Sequence, residues 1–98
     1  MILVRDIFQL KFGKAKDAKA LMKEFMSLLK KHGMPSSRIL TDLTGPYYQL
    51  VMETVHENLG AFEASMKNET GAEEFGKWYA QFVPLVESGK REIFTIVE

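Results

Sequence analysis

The chain has no cysteine, and it has no excess of positive or negative charge. Without cysteine it can form neither disulfide bonds nor thiolate-based metal or catalytic sites. Thirteen basic and thirteen acidic residues give a formal net charge of zero. The sequence therefore lacks the electropositive footprint of proteins that bind nucleic acid or anionic membranes. We expect neither of these partners.

Long apolar runs are absent as well. The opening run 2–4 meets Arg5 and Asp6 at once, which is too short for a signal peptide. No apolar stretch approaches the roughly 20 residues that a membrane-spanning helix needs. A cytoplasmic location follows by default. The 98 residues and the 46% hydrophobic content indicate one globular domain, residues 1–98.

Four short runs alternate as β-strands do, yet they are apolar on both faces. They are residues 2–12, 38–44, 47–55 and 91–97. A sheet with one face in water normally shows apolar and polar residues in clean alternation. The helices can cover only one face, and a second copy of the same sheet is the expected cover for the other. The sequence therefore predicts a homodimer formed through the sheet face.

Apolar residues at three- and four-residue spacing indicate two helical regions. The first, residues 14–32, carries one apolar stripe, and Gly33 is suited to cap its end. The second, residues 57–86, is interrupted at 68–71 and should end near residue 81, because Pro84 blocks continuation. Its second half carries an aromatic stripe: Phe75, Trp78, Tyr79 and Phe82. Ser88 and Gly89 are predicted to form the turn before the last strand.

The order of elements is β-α-β-β-α-β, with Gly45-Pro46 as a hairpin turn between the middle strands. Two β-α-β halves of this kind fold into a ferredoxin-like α+β sandwich. Its four-stranded sheet is antiparallel. Right-handed crossovers place both helices on one face of that sheet.

Short cues accompany this order of elements. They are Leu10-Lys11-Phe12-Gly13-Lys14, and then Trp78, Phe82, Pro84-Leu85-Val86, Gly89 and Arg91-Glu92-Ile93. Together they resemble the dimeric α+β barrel superfamily, and small NIPSNAP-like or ferredoxin-like members most of all. Many of those members have no assigned activity. The resemblance implies two sheets packed face to face into a barrel, with the helices outside.

The superfamily also implies several chemistries. Its enzymes include cofactor-free quinol-type monooxygenases, heme-degrading monooxygenases, muconolactone isomerases, dehydratases and polyketide cyclases, and the fold does not choose among them. The heme-degrading members carry an Asn seven residues before the glycine that ends the first strand, where this chain has Asp6. They also carry a His shortly after a Phe on the second helix, where this chain has Tyr79. Because heme needs an axial ligand, this departure argues against heme. We predict no cofactor.

Asp6 is the most informative candidate for chemistry, because it interrupts an apolar stripe that faces the helices. A carboxylate there must be paired, hydrogen-bonded or protonated. Burial would raise its pKa and suit it to general acid or base catalysis. The structural alternative is an Asp bonded to a Lys, an Arg or a Tyr hydroxyl.

The aromatic residues Phe8, Phe75, Trp78 and Phe82 are the candidate ligand-binding walls. Apolar walls with a few convergent polar groups are typical of small-molecule pockets. The alternative is that the aromatic stripe is simply the core. Tyr79 belongs to the same stripe and adds a hydroxyl group.

Three further features have weaker signals. His56 ends the third strand, where it is either catalytic or an exposed or capping residue, and nothing near it has the spacing of a metal site. Arg5 and Glu53 are expected on the second face of the sheet, where they could pair if a dimer buries them. The acidic residues Glu69, Glu73 and Glu74 suggest the start of a helix.

Two functions remain open on the sequence. The first is binding of, or cofactor-independent chemistry on, a hydrophobic small molecule such as a quinone-like, polyketide-like or fatty-acid-like compound. In the enzymatic version Asp6 moves a proton, and Tyr79 or His56 donates a hydrogen bond to the developing oxyanion. The second is a structural or regulatory homodimer with no ligand.

Overall fold

The computed structural model describes residues 1–98 apart from the side chain of Thr70. The elements are β1 (Ile2–Leu10), α1 (Ala15–Lys31), β2 (Arg38–Thr41), β3 (Gln49–His56), α2 (Leu59–Gly71), α3 (Glu73–Phe82) and β4 (Val86–Thr95). A single 3-10 turn, Val83–Leu85, joins α3 to β4. Among the described residues, none of the helices is both long enough and apolar enough to cross a membrane.

The strands form one antiparallel sheet in the order β2-β3-β1-β4. β1 therefore lies inside the sheet and pairs with β3 on one side and with β4 on the other. All three helices pack on the same face of this sheet, as right-handed crossovers require. The arrangement is the ferredoxin-like α+β sandwich that the sequence predicts.

The face of the sheet toward the helices (the helix face) carries the core. Val4, Leu10 and Leu50 are 0–2% exposed there, and the apolar stripe of α1 packs in one cluster with Leu10 and Leu50. Side chains alternate along a strand. Asp6 therefore points to the helix face together with Val4 and Leu10. The register places Asp6 opposite Met52 of β3 and opposite Arg91 of β4.

The opposite face of the sheet (the outer face) carries a charged network with apolar residues around it. Arg5 Nε donates to Glu53 Oε2 at 2.8 Å, and Arg38 Nε donates to Glu53 Oε1 at 3.0 Å. The expected pair of Arg5 and Glu53 thus forms within a single chain. The apolar side chains of this face include Leu40, Val55 and Phe94, which are 39%, 42% and 43% exposed.

The helices begin and end at residues whose side chains or backbone conformation suit a helix end. Asn58 caps α2, because its Oδ1 accepts a hydrogen bond from the Ala61 N–H at 2.8 Å. Gly33 follows α1 with a left-handed φ of 65°, as the sequence predicts. The break in the second helical region lies at Ala72, which is extended at ψ 125°. The predicted interruption at 68–71 was therefore placed too early, and Glu69 belongs to the last turn of α2, not to the start of a helix.

Two turn predictions are wrong. Ser88 and Gly89 do not turn the chain but belong to β4, where Gly89 pairs with Phe8. A Cβ at Gly89 would lie 3.2 Å from Phe8 Cδ1, so the missing side chain makes room for the ring. The hairpin between β2 and β3 is a seven-residue loop, 42–48, and not a tight Gly45-Pro46 turn. Asp42 closes it, because its Oδ1 accepts from the Gln49 N–H at 3.1 Å.

Candidate functional site

A cavity lies between the helix face of the sheet and the three helices. Its inner part (the inner cavity) has a volume of about 150 Å³, and an adjoining space of about 690 Å³ (the open groove) leads to solvent. Both spaces are bordered by the same central residues: Asp6, Phe8, Phe25, Met66, Glu69, Trp78, Tyr79 and Arg91. The site is therefore one cleft with a narrow inner end and a wide mouth.

The polar centre of the cleft is an ion pair between two neighbouring strands. Arg91 Nε donates to Asp6 Oδ1 at 2.6 Å. The Asp6 side chain is 12% exposed and the Arg91 side chain 42%, so the pair extends from the inner end toward solvent. Arg91 also lies over the ring of Phe62 at 5.0 Å, which fixes the guanidinium from a second side. Asp6 is thus bonded to an Arg, which is the structural alternative that the sequence left open, and it also lines the inner cavity.

Aromatic side chains build the apolar walls. Trp78 stacks on Phe82 with ring centroids 4.8 Å apart, and Phe82 meets the edge of Phe8 at 5.1 Å. Trp78 Nε1 donates to the Leu21 carbonyl oxygen of α1 at 2.5 Å, which satisfies the buried indole N–H. The predicted wall residues Phe8, Trp78 and Phe82 line the inner cavity, while Phe75 lines the open groove. These residues belong to the core and to the cleft at once.

Tyr79 is placed differently from its neighbours on α3. It is 62% exposed, whereas Trp78 is buried. Tyr79 borders both the inner cavity and the open groove, so it stands at the mouth of the cleft. Its side chain therefore lies at the entrance of the cleft.

His56 lies in the wall of the inner cavity, at the end of β3. It is 7% exposed, so the expectation of an exposed residue is wrong, and Asn58 takes the capping role instead. Its Nε2 lies 2.9 Å from Thr54 Oγ1, and its ring contacts Phe62 at 5.2 Å. Burial lowers the pKa of His56 below its usual value of 6.5, so the ring is neutral at neutral pH.

Glu69 borders the inner cavity and the open groove from the last turn of α2. No described side chain donates a hydrogen bond to its carboxyl group. Burial, and then the negative charge of Asp6, raise the pKa of Glu69 above its usual value of 4.5, although Arg91 opposes this. The cleft therefore contains one paired carboxylate and one carboxyl group with a raised pKa.

Sequence reasoning missed Arg91, Glu69 and Phe62 as site residues. Arg91 lies in a run predicted to be a strand, but its pairing with Asp6 depends on a register between distant segments. Glu69 was assigned to a helix start because three acidic residues follow one another closely. Within the described part of the chain, no three His, Asp or Glu side chains converge as a metal site requires.

Solved structures of other proteins share this fold over nearly the whole chain. A NIPSNAP family protein from Agrobacterium tumefaciens superposes with a TM-score of 0.87 at 15% identity, over 99% of this chain and 86% of the other. An uncharacterised NIPSNAP-like domain protein from Burkholderia xenovorans gives a TM-score of 0.88 at 14% identity, over 98% and 84%. An antibiotic biosynthesis monooxygenase gives 0.77 at 13% identity, over 100% of both chains.

No protein-family profile matches the chain, and no curated protein matches it. At such low identity the structural likeness shows the fold alone. The resemblance to small NIPSNAP-like, ferredoxin-like proteins is confirmed at that level. The same fold occurs in uncharacterised proteins and in a monooxygenase, so it does not assign an activity to this chain.

Proposed function

We propose that this protein binds a hydrophobic small molecule in the cleft between the sheet and the helices. The observation that carries the proposal is the pair of Asp6 and Arg91, which faces a cavity with mainly aromatic and methionine walls. Apolar walls with a few fixed polar groups are the usual composition of a small-molecule site. Candidate ligands are quinone-like, polyketide-like or fatty-acid-like compounds.

The dimensions of the cleft support a ligand with a flat apolar end. An apolar cavity of about 150 Å³, the volume of the inner cavity, is large enough for a benzene-sized ring. The open groove of about 690 Å³ then takes the rest of the molecule. Trp78 forms one wall, and Tyr79 contacts the ligand at the mouth. The ring would therefore bind inside and the polar or chain portion would bind near solvent.

An enzymatic version uses the same residues. In it the Asp6 carboxylate, held in place by Arg91, accepts a proton from the bound molecule. Tyr79 at the mouth, or His56 at the inner end, donates a hydrogen bond to the oxygen that becomes negative. This version needs no cofactor, and it places the proton acceptor on β1.

The first experiment is native mass spectrometry of the freshly purified protein, followed by organic extraction and identification of the released compounds. We expect a defined apolar compound. Binding of that compound is then compared in Asp6→Asn, Asp6→Ala and Asp17→Asn, since Asp17 is an exposed acid on α1, outside the cleft. If both Asp6 variants bind as the native protein does, the site assignment is wrong.

We further propose that two copies associate through the outer face. Its half-exposed apolar side chains Leu40, Val55 and Phe94 support this, because a monomer rarely exposes a large apolar patch. Sedimentation velocity at micromolar concentration is expected to give a dimer, and Phe94→Glu a monomer. A native monomer would contradict this proposal and leave the ligand proposal standing.

A structural or regulatory homodimer without ligand is the second candidate. The small volume of the inner cavity favours it, because the walls of the cleft are also core residues. This candidate predicts an empty dimer, and it predicts that Asp6→Asn and Tyr79→Phe change stability alone. A compound that dissociates from the dimer only on denaturation would exclude it.

A further inference from the structure

The charges of the cleft do not balance. Asp6 and Glu69 bring two carboxyl groups to it, while Arg91 brings one guanidinium that already donates to Asp6. Lys90 borders the open groove, but it neighbours Arg91 along β4 and so points to the outer face. A ligand with a negative head group would therefore add a third acid where the described residues supply no further cation.

Glu69 lies where it can contact the polar head group of a bound ligand. It is half-buried on the last turn of α2, it borders the inner cavity and the open groove, and no described donor contacts it. The titratable and charged groups that share this space with it come from other elements: Asp6 of β1, His56 of β3, Tyr79 of α3 and Arg91 of β4. Once ionised, an acid in this setting repels a second negative charge, because no described donor or cation pairs with it.

We propose that Glu69 selects the head group of the ligand, so that the cleft accepts an uncharged carbonyl or hydroxyl oxygen and rejects a carboxylate. This inference rests on the proposed function and narrows it. Quinone-like and polyketide-like compounds remain, and fatty-acid-like anions are excluded. Protonated Glu69 donates a hydrogen bond to a carbonyl oxygen, and ionised Glu69 accepts one from a hydroxyl group.

The raised pKa of Glu69 adds a dependence on pH. Burial and the charge of Asp6 both favour its protonated form, so it keeps its proton to a higher pH than an exposed glutamate does. As the pH falls and Glu69 becomes neutral, the repulsion of an anionic head group weakens. Discrimination between neutral and anionic ligands should therefore be greatest at high pH.

Three probes with the same ring test this directly: acetophenone, benzoate and benzylammonium. The chain has one tryptophan, and it lies in the cavity wall, so the indole N–H resonance of Trp78 reports binding without ambiguity. At about pH 8 we expect acetophenone to bind at least roughly tenfold more tightly than benzoate, the size of one partly screened like-charge contact. At about pH 5 the ratio should shrink.

Glu69→Gln removes the charge and keeps the shape. We expect this variant to lose most of the discrimination against benzoate at high pH and most of its pH dependence. Glu63→Gln is the matched control, because Glu63 lies on the same helix, is exposed and pairs with Lys67 at 3.5 Å. It should leave the ratio unchanged.

The outcomes separate the inference from the proposed function. If benzylammonium binds most tightly, or if Glu69→Gln leaves the ratio unchanged, Glu69 does not select as proposed and the ligand site itself stands. If none of the three probes shifts the Trp78 resonance, the cleft is not a binding site and both proposals fall. Equal binding of acetophenone and benzoate at every pH also overturns the selection.

Discussion

On the outer face of the sheet, Glu53 is 4% exposed and accepts hydrogen bonds from both Arg5 and Arg38. On the helix face, one position further along β1, Asp6 has Arg91 as its cation, and Glu69 shares their space without a described donor. Both carboxylate oxygens of Glu53 accept hydrogen bonds, so its network is saturated. The group formed by Asp6, Arg91 and Glu69 is incomplete, because the Glu69 carboxyl group has no described donor. A saturated network stabilises a fold, whereas an incomplete one beside a cavity can bind something else.

The largest effect should come from breaking the saturated network. Glu53→Ala removes the shared partner of two arginines, and we expect the free energy of unfolding to fall by about 2–3 kcal/mol. This lies below the value for a fully buried pair, because Arg5 and Arg38 still reach solvent. Urea unfolding measures the loss, and acetophenone binding should be unchanged. A loss below about 0.5 kcal/mol would place Glu53 with ordinary surface acids.

Breaking the incomplete group should have the opposite effect: a small loss of stability and a large loss of ligand affinity. Asp6→Asn keeps the shape but weakens the hold on Arg91, and we expect a stability loss of about 1 kcal/mol. Affinity for acetophenone should fall by roughly tenfold, because the polar end of the cleft loses its fixed geometry. Calorimetric titration and urea unfolding on one sample measure both. Asp17→Asn is the control, and equal binding by Asp6→Asn and the control would contradict the contrast between the two faces.

The two faces should also respond to pH with opposite signs. The hydrogen bond from Arg38 holds the pKa of Glu53 below its usual value of 4.5, so its stabilisation is present above pH 4.5 and is lost as the pH falls through its folded pKa. The pKa of Glu69 is raised by burial, so its contribution is complete below pH 4.5 and is lost as the pH rises through its folded pKa.

Unfolding in urea from about pH 3 to pH 8 checks these signs. Glu53→Gln should flatten the acid side of the profile, and Glu69→Gln should raise stability at high pH relative to the native protein. His56 is a third contributor: its pKa is lowered by burial, so it destabilises the fold below pH 6.5. The same urea unfolding series in His56→Gln separates the contribution of His56 from those of Glu53 and Glu69. A Glu69→Gln variant that is less stable at pH 8 would contradict the assignment.

The smallest effect should come from the mouth of the cleft. Tyr79 is 62% exposed, so Tyr79→Phe should change the free energy of unfolding by no more than about 0.5 kcal/mol. A change in ligand affinity without a change in stability would show that the hydroxyl group contacts the bound molecule. Thermal unfolding and probe titration measure the two quantities. A large loss of stability would instead make Tyr79 part of the core.

The residue pattern within a single segment predicted the fold correctly where one local physical rule determines the structure. Alternation along β1 placed Asp6 on the helix face and Arg5 on the outer face, because side chains alternate whatever the rest of the chain does. The start of β4 was missed because Ser88 and Gly89 have the composition of a turn. Gly89 is needed instead for the approach of the Phe8 ring, which is a contact between distant segments.

The candidate site was predicted in part for the same reason. Asp6, Trp78 and Phe82 were found because a charged residue in an apolar stripe and an aromatic stripe are local signals. Arg91 was missed, because only the register between β1 and β4 brings it to Asp6. Glu69 was misread because the helix break lies at Ala72, and a shift of a few residues moves a helical side chain to another face.

The position of β1 inside the sheet has a consequence for synthesis. Asp6 and Arg91 are 85 residues apart in the chain, and the strand that carries Arg91 is the last of the four to be made. Until β4 leaves the ribosome, β1 has one open edge and Asp6 has no cation. Contacts this distant slow folding, because the chain loses entropy before they form. The ion pair at the polar centre of the cleft therefore cannot form before β4 has been made.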